Sequence, residues 1–194
     1  MAQLSSEEFD SIEFGAARTG DHREAARQMS RLAAAGAAGG EMSRAEAYLR
    51  AGDQWLLADD PSAAAEDFRQ ALADGGATLH EARVSLARAL YQLGKTDEAG
   101  QLVSQLEADR RTDPRLCDLV AELLVEQSDL IGALDWANTG VELCLADGAP
   151  ASEPQQVKPD VDQTELRMLL SLRYRIRHDM GLPEDNYDQL LDQL

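Results

Sequence analysis

Apolar residues recur along this chain at the spacing of one face of an α-helix, and short polar turns separate the segments in which they do so. In the first segment, Phe9, Ile12, Ala16 and Ala17 share one helical face. Aromatic residues make up only 5% of the chain, whereas Ala and Leu are abundant, which favours helix–helix packing over a β-sandwich. The pattern therefore predicts an all-α protein.

The predicted helices come in pairs joined by short turns. These turns are Thr19-Gly20-Asp21, Asp59-Asp60-Pro61, Leu93-Gly94-Lys95-Thr96 and Ser128-Asp129. An alanine follows each turn at an equivalent position, and Ala25, Ala64, Ala99 and Ala133 are separated by 39, 35 and 34 residues. A nearly constant interval predicts a repeated hairpin of two antiparallel helices. The Ala- and Gly-rich stretch 33–40 is expected to absorb the longer first interval.

Helix starts are marked by residues that satisfy free backbone N–H groups. The capping-box spacing occurs at Ser5-x-x-Glu8, Ser43-x-x-Glu46 and Thr78-x-x-Glu81. Pro61 and Pro114 suit the first turn of a helix, where the missing N–H of proline has no helical partner to lose. These signals place the beginnings of five of the predicted helices.

The stretch from Arg44 to Gly76 contains the clearest single hairpin. Gly52 on its first helix and Ala64 on its second are small, as two closely approaching helix backbones require. Larger side chains at Tyr48, Trp55 and Phe68 are expected to fill the space around this crossing. The pattern Tyr48-x-x-Ala51-Gly52-x-x-Trp55, followed by Ala64-x-x-x-Phe68-x-x-Ala71-Leu72, resembles the tetratricopeptide repeat.

The resemblance implies an α-solenoid of about five antiparallel helical hairpins that wind into a right-handed superhelix. Residues 1–146 are expected to form the solenoid, with hairpins at about 5–35, 43–75, 78–110 and 114–146. A surface loop at 147–163 and a capping hairpin at 164–194 are expected to follow. The end hairpins depart from the family pattern, because Glu13 stands in place of the glycine and Asn186 in place of the crossing alanine.

The charge of the chain restricts the kind of partner it can bind. Acidic residues number 36 and basic residues 18, so the formal net charge is −18. Such a surface repels nucleic acid and anionic membranes and favours basic or neutral partners, although solubility alone would also account for it. The N-terminal residues lack a secretory signal, and no stretch approaches the roughly 20 apolar residues of a membrane span. A cytoplasmic location is therefore expected.

Motifs for catalysis, metal binding or nucleotide binding find little support. Gly94-Lys95-Thr96 matches the end of a phosphate-binding loop, but Ala89 stands where its first glycine is needed. The histidines His22, His80 and His178 are isolated, and Cys117 and Cys144 do not form a C-x-x-C pair. The sequence therefore predicts neither catalytic residues nor a metal site nor a cofactor.

The resemblance also implies an inner groove, lined mainly by the first helix of each hairpin, that holds an extended peptide or a partner's helix. The residues expected in this groove are Phe14, Leu49, Asp53, Leu56, Val84, Arg88, Tyr91, Asp118, Glu122 and Arg175. Leu49, Leu56, Val84 and Tyr91 are the expected apolar anchors, while Asp53 and Glu122 attract basic groups. Family members that bind an acidic peptide C-terminus use Lys and Asn at such positions, which this chain lacks. We therefore expect a basic or amphipathic protein segment as the ligand.

Two other functions fit the same architecture. The chain could be a chaperone or escort for one secreted or unstable client, as some small acidic tetratricopeptide proteins are. It could instead be a structural module that forms a homodimer through the apolar faces of its end hairpins. The arginines at 167, 173, 175 and 177 also leave two interpretations open: they pair with carboxylates of neighbouring helices, or they contact an acidic partner.

Overall fold

The structure, a computed structural model, describes residues 4–36, 41–75, 79–107, 113–145 and 163–191. These residues form ten helices and, within the ranges given, no β-strand. The helices are α1 (Ser6–Thr19), α2 (His22–Ala35), α3 (Arg44–Leu57), α4 (Pro61–Asp74), α5 (Leu79–Gln92), α6 (Thr96–Leu106), α7 (Pro114–Glu126), α8 (Leu130–Cys144), α9 (Gln163–Asp179) and α10 (Asn186–Leu191). The predicted all-α helical-repeat architecture is confirmed.

The helices belong to two compact units. The first unit, Met1–Ser104, contains α1 to α5 and most of α6, and the second, Gln105–Leu194, contains α7 to α10. In the first unit each helix from α1 to α4 packs on the next, and α3 also contacts α5. In the second unit α7 packs on α8, α8 on α9 and α9 on α10, and α7 also contacts α9. The grouping of residues 1–146 into one solenoid stays a prediction.

The turns within three of the pairs close in the same way. The backbone N–H of Asp60 donates to the carbonyl of Trp55, that of Lys95 to Leu90, and that of Asp129 to Leu124, each at 2.9 Å. The residue just before each donor is left-handed: Asp59 has φ of 56°, Gly94 of 73° and Ser128 of 62°. This is a Schellman turn, in which glycine is the usual left-handed residue. The predicted turns are confirmed, and two of them use a non-glycine residue.

The predicted helix starts are confirmed in part. Ser43 accepts a hydrogen bond from the backbone N–H of Glu46 at 3.1 Å, and Pro61 and Pro114 are the first residues of α4 and α7. The expected side-chain cap at Ser5 is wrong, because only its backbone carbonyl closes the start of α1. Thr78, residues 37–40 of the Ala/Gly stretch and most of the predicted loop at 147–163 lie outside the described residues.

The crossing of α3 and α4 is packed as the pattern of small and large residues predicts. Ala64 and the Phe68 ring are completely buried. A Cβ atom added at Gly52 would lie within 2.7 Å of three atoms of that ring. The four alanines that follow the turns are all buried as well: Ala25, Ala64, Ala99 and Ala133. Glycine at position 52 therefore allows the aromatic ring to pack directly on the α3 backbone.

Trp55 completes this crossing in a way that the apolar pattern does not predict. Its ring is only half-buried, and its Nε1–H donates to Oδ2 of Asp67 on α4 at 3.1 Å. The hydroxyl of Ser30 on α2 donates to the same oxygen at 2.6 Å. Burial raises the pKa of Asp67, although these two hydrogen bonds oppose the rise. Ser30 and Trp55 therefore join α2 and α3 to α4 through the carboxylate of Asp67.

The C-terminal helix α10 is held on α9 by buried ion pairs. Arg173, with a side chain only 4% exposed, contacts Asp188 at 3.0 Å, and Arg177 contacts the same carboxylate at 3.1 Å. Both arginines also pair with Asp185. Burial opposes ionisation of Asp185, yet its bonds and proximity to the two arginines hold its pKa below the usual value. The pairing interpretation is therefore confirmed for Arg173 and Arg177.

Candidate partner-binding site

The first helices of the N-terminal unit, α1, α3 and α5, lie side by side, and we call the surface they share the first-helix face. Arg50 on α3 donates to both carboxylate oxygens of Glu13 on α1, at 2.8 and 2.6 Å, and to Asp10 at 2.6 Å. Its guanidinium carbon also lies 5.5 Å from the centre of the Phe9 ring. Glu13, which replaces the family glycine, thus joins α1 to α3 through an arginine.

Asp53 lies on α3 between charged groups of both neighbouring helices. Glu13 of α1 and Glu81 of α5 repel its negative charge, whereas Arg88 of α5 attracts it. The residue is exposed at the surface, yet enough protein lies around its carboxylate that desolvation is the largest effect on its pKa. Together these effects raise the pKa of Asp53 to about 6. This carboxylate therefore gains from any additional cation that reaches it.

The apolar residues expected in the groove fall into two groups. Leu56 and Tyr91 are half-buried, so part of each side chain is available to a ligand. Leu49 and Val84 are 8% and 1% exposed, so they belong to the core and not to the surface. The direct packing of α3 on α5 accounts for their burial, because it closes the space between the helices that carry them. Phe14 is at the other extreme, 72% exposed.

The second unit contains a cavity of about 540 Å³ between α7 and α9. Three carboxylates line it: Asp118 and Glu122 from α7, and Glu165 from α9. Leu119 and Met168 supply apolar surface, and Arg115 adds one positive charge. The cavity adjoins a further hollow of about 340 Å³ that is lined in part by Arg167 and Arg175. Acidic and basic surfaces therefore lie next to each other along these two helices.

Asp118 is the most buried of these carboxylates. Its exposed fraction is 9%, whereas Glu122 and Arg175 are exposed. Desolvation, followed by repulsion from Glu122 and Glu165, raises the pKa of Asp118 to about 6, although Arg175 opposes the rise. An ionised carboxylate in this position destabilises the folded state, because water would solvate it better than this site does.

This pKa predicts how stability depends on pH. Between pH 4 and 6 the folded state binds more protons at Asp118 than the unfolded state does, so ionisation makes folding less favourable as the pH rises. We expect Asp118→Asn to stabilise the protein by roughly 2 kcal/mol at pH 8, and not at pH 4. Urea unfolding at both values measures the difference. Glu184→Gln, an exposed carboxylate in the same unit, is the control, and an equal gain at both pH values would contradict the prediction.

The sequence reasoning missed the α9 side of the cavity, where it named Arg175 alone. A signal for that side was present. Residues 165, 168, 172 and 175 recur at intervals of three and four, so Glu165, Met168, Leu172 and Arg175 share one helical face. The matching residues on α7 are 115, 118, 119 and 122, of which the last three lie three, four and seven positions after the first, so they also share one helical face. Only the packing of α7 against α9 brings the two faces together.

Other kinds of site receive no support from the described parts of the chain. No group of three or more His, Cys, Asp or Glu side chains there is placed to hold a metal ion. Cys117 and Cys144 are buried free thiols. None of the described helices combines the length and the hydropathy that crossing a bilayer requires.

Residues 56–123 match the sequence model of the tetratricopeptide repeat family. The match runs from the end of α3, through α4, α5 and α6, to most of α7. No curated protein matches the chain. The family is typically a non-catalytic fold that mediates protein–protein interaction. The matched residues, the buried alanines that follow the turns and the paired helices together support a helical repeat similar to the tetratricopeptide repeat in this chain.

Proposed function

We propose that this chain is a non-enzymatic protein-interaction module whose first-helix face binds a basic or amphipathic segment of a partner protein. Binding of protein partners is general to the family, and the chemistry of the segment is the specific part of the proposal. Its central residue is Asp53.

The observation that carries the proposal is the incomplete neutralisation of Asp53. Two carboxylates and one guanidinium act on this exposed residue, and its pKa is raised to about 6, with desolvation by the neighbouring helices as the largest cause. A lysine or arginine from a partner would supply the missing positive charge without displacing a strong hydrogen bond. Such a charge-assisted contact is worth more than one at a fully solvated surface.

The surroundings of Asp53 favour an amphipathic ligand over a purely charged one. Leu56 lies three residues further along α3, and Tyr91 lies three residues after Arg88 on α5. Both are half-buried and therefore offer apolar contact area beside the charge. The net charge of −18 favours basic partners and disfavours nucleic acid and anionic membranes. The proposed setting is the cytoplasm, without a cofactor.

Charge reversal on the first-helix face tests this proposal. We expect Asp53→Lys to weaken capture of the partner from native lysate by at least about tenfold, because it turns attraction into repulsion. The control is Glu66→Lys on α4, where the carboxylate is 65% exposed, lies 3.9 Å from Arg69 and accepts a hydrogen bond from Gln70 at 3.1 Å. Both variants should unfold at the same temperature as the original protein to within a few degrees.

Capture is quantified by mass spectrometry at low and at moderate salt. The proposal predicts that a partner with a basic segment is captured by the original protein and by Glu66→Lys, but not by Asp53→Lys. The amount of this partner that is captured should fall as the salt concentration rises. Equal recovery of that partner by both variants would exclude the first-helix face as the binding surface. Recovery of this protein alone would favour self-association instead.

A further inference from the structure

We propose that the cavity between α7 and α9 is a binding site for a lysine side chain of the partner, with Asp118 as the buried counter-ion of its ammonium group. This inference rests on the proposed function and adds to it a second contact, in the other unit of the chain. It also names the chemical group that the contact recognises.

The first argument is the state of Asp118. This side chain is nine-tenths buried and lines both the cavity and the adjoining hollow. Its carboxylate makes neither a hydrogen bond nor an ion pair with any residue in the described part of the chain, and Arg175 acts on it only through the electrostatic field. Buried polar groups nearly always have a partner. A ligand that brings a positive charge and N–H donors supplies one.

The second argument is the composition of the cavity wall. Asp118, Glu122 and Glu165 face the cavity together with a single guanidinium, that of Arg115, so the lining carries an excess of negative charge. An ammonium group has three donors that can point to carboxylates on two helices, whereas a guanidinium fork best fits one carboxylate. Lysine therefore fits this arrangement better than arginine does.

The third argument is the apolar part of the wall. Leu119 is half-buried and Met168 is 55% exposed, so both present hydrocarbon or thioether surface at the cavity. The four methylene groups of lysine can pack along such surface while the charged end reaches the carboxylates. Arg167 and Arg175 in the adjoining hollow repel a second basic residue next to the first. The site thus selects one lysine flanked by apolar residues.

The test uses the full chain and a defined probe, the peptide acetyl-Ala-Leu-Lys-Leu-Ala-amide. Its control is the same peptide with the lysine side chain acetylated, which keeps the stem and removes the charge. Two-dimensional NMR of the ¹⁵N-labelled protein should show shifts of backbone amides in α7 and α9 that saturate with the lysine peptide. We expect the acetylated peptide to bind at least about tenfold more weakly, as loss of a charged hydrogen bond implies.

Three variants decide whether Asp118 is responsible. Asp118→Asn keeps the shape of the side chain and should lower the affinity for the lysine peptide by at least about tenfold. Glu184→Gln in the same unit, and Glu66→Gln in the other, remove exposed carboxylates and should leave this affinity unchanged. Equal binding of the two peptides, full affinity of Asp118→Asn, or the absence of saturable shifts in α7 and α9 would overturn the inference. Failure of Asp53→Lys to affect partner capture would instead exclude the first-helix face and leave the cavity assignment standing.

Discussion

Replacing Asp188 by alanine is expected to lower the free energy of unfolding by about 3–5 kcal/mol, as removal of one member of a buried ion pair does. Its carboxylate is 5% exposed and accepts from Arg173 on one side and Arg177 on the other, at 3.0 and 3.1 Å. Without it, Arg173 stays buried, and its remaining acceptors among the described residues are Asp185 and the side chain of Asn138. A buried guanidinium that loses half of its negative partners is costly to keep out of water.

Urea unfolding followed by far-UV circular dichroism measures this loss. The matched control is Asp179→Ala, at the end of the same helix α9, where the carboxylate is 52% exposed and lies 3.6 Å from the imidazole of His178. That change should cost less than about 0.5 kcal/mol. Similar losses for the two variants would mean that the ion pairs between α9 and α10 do not stabilise the fold.

The second large effect is expected where the backbone of α3 meets the Phe68 ring. Gly52→Ala should destabilise the protein by about 1–3 kcal/mol, because its Cβ would overlap the ring in a fully packed core. Phe68→Ala should cost about 3–5 kcal/mol through the cavity that it leaves. In the double variant the added methyl group enters that cavity, so Gly52→Ala should then cost almost nothing.

A double-mutant cycle in urea measures this coupling. Gly15→Ala on α1 is the control for helix propensity, because a Cβ there would meet no atom within 4 Å. It should stabilise the protein by about 0.5–1 kcal/mol, as alanine does in place of glycine on an open helix surface. If Gly52→Ala alone stabilised the protein by as much as Gly15→Ala does, direct packing of the Phe68 ring on the α3 backbone would be refuted.

Much of the fold could be predicted from sequence because its signals are local. Ala64, Ala99 and Ala133 lie at nearly equal intervals, and each occupies the equivalent position after its turn. The repeat can therefore be recognised without tertiary information. The turns at Asp59-Asp60 and Ser128-Asp129 likewise combine a polar cap with a change of chain direction. Local backbone chemistry is sufficient to determine such features.

The candidate site was harder to predict, because it depends on how helices face one another. The family resemblance places Val84 and Leu49 in the groove, but only the packing of α3 on α5 shows that both are covered. Asp118 illustrates the reverse case: a charged residue expected at the surface is buried beside α9. Glu165 and Met168 reach the same cavity from α9, which the eighteen residues 145–162 separate from α8 in sequence. A sequence pattern shows which residues share one face of a helix, but it does not show which other helix that face packs against.

The Schellman turns have a consequence for how chains of this kind change length. The connections 58–60, 93–95 and 127–129 each have three residues and a backbone hydrogen bond across them, so an inserted residue would break the bond and rotate one helix relative to its mate. Segments between pairs differ freely in length, from the four residues 75–78 to the eighteen residues 145–162. Insertions and deletions in natural relatives should therefore accumulate between pairs, and an inserted tag or reporter domain would be tolerated best there.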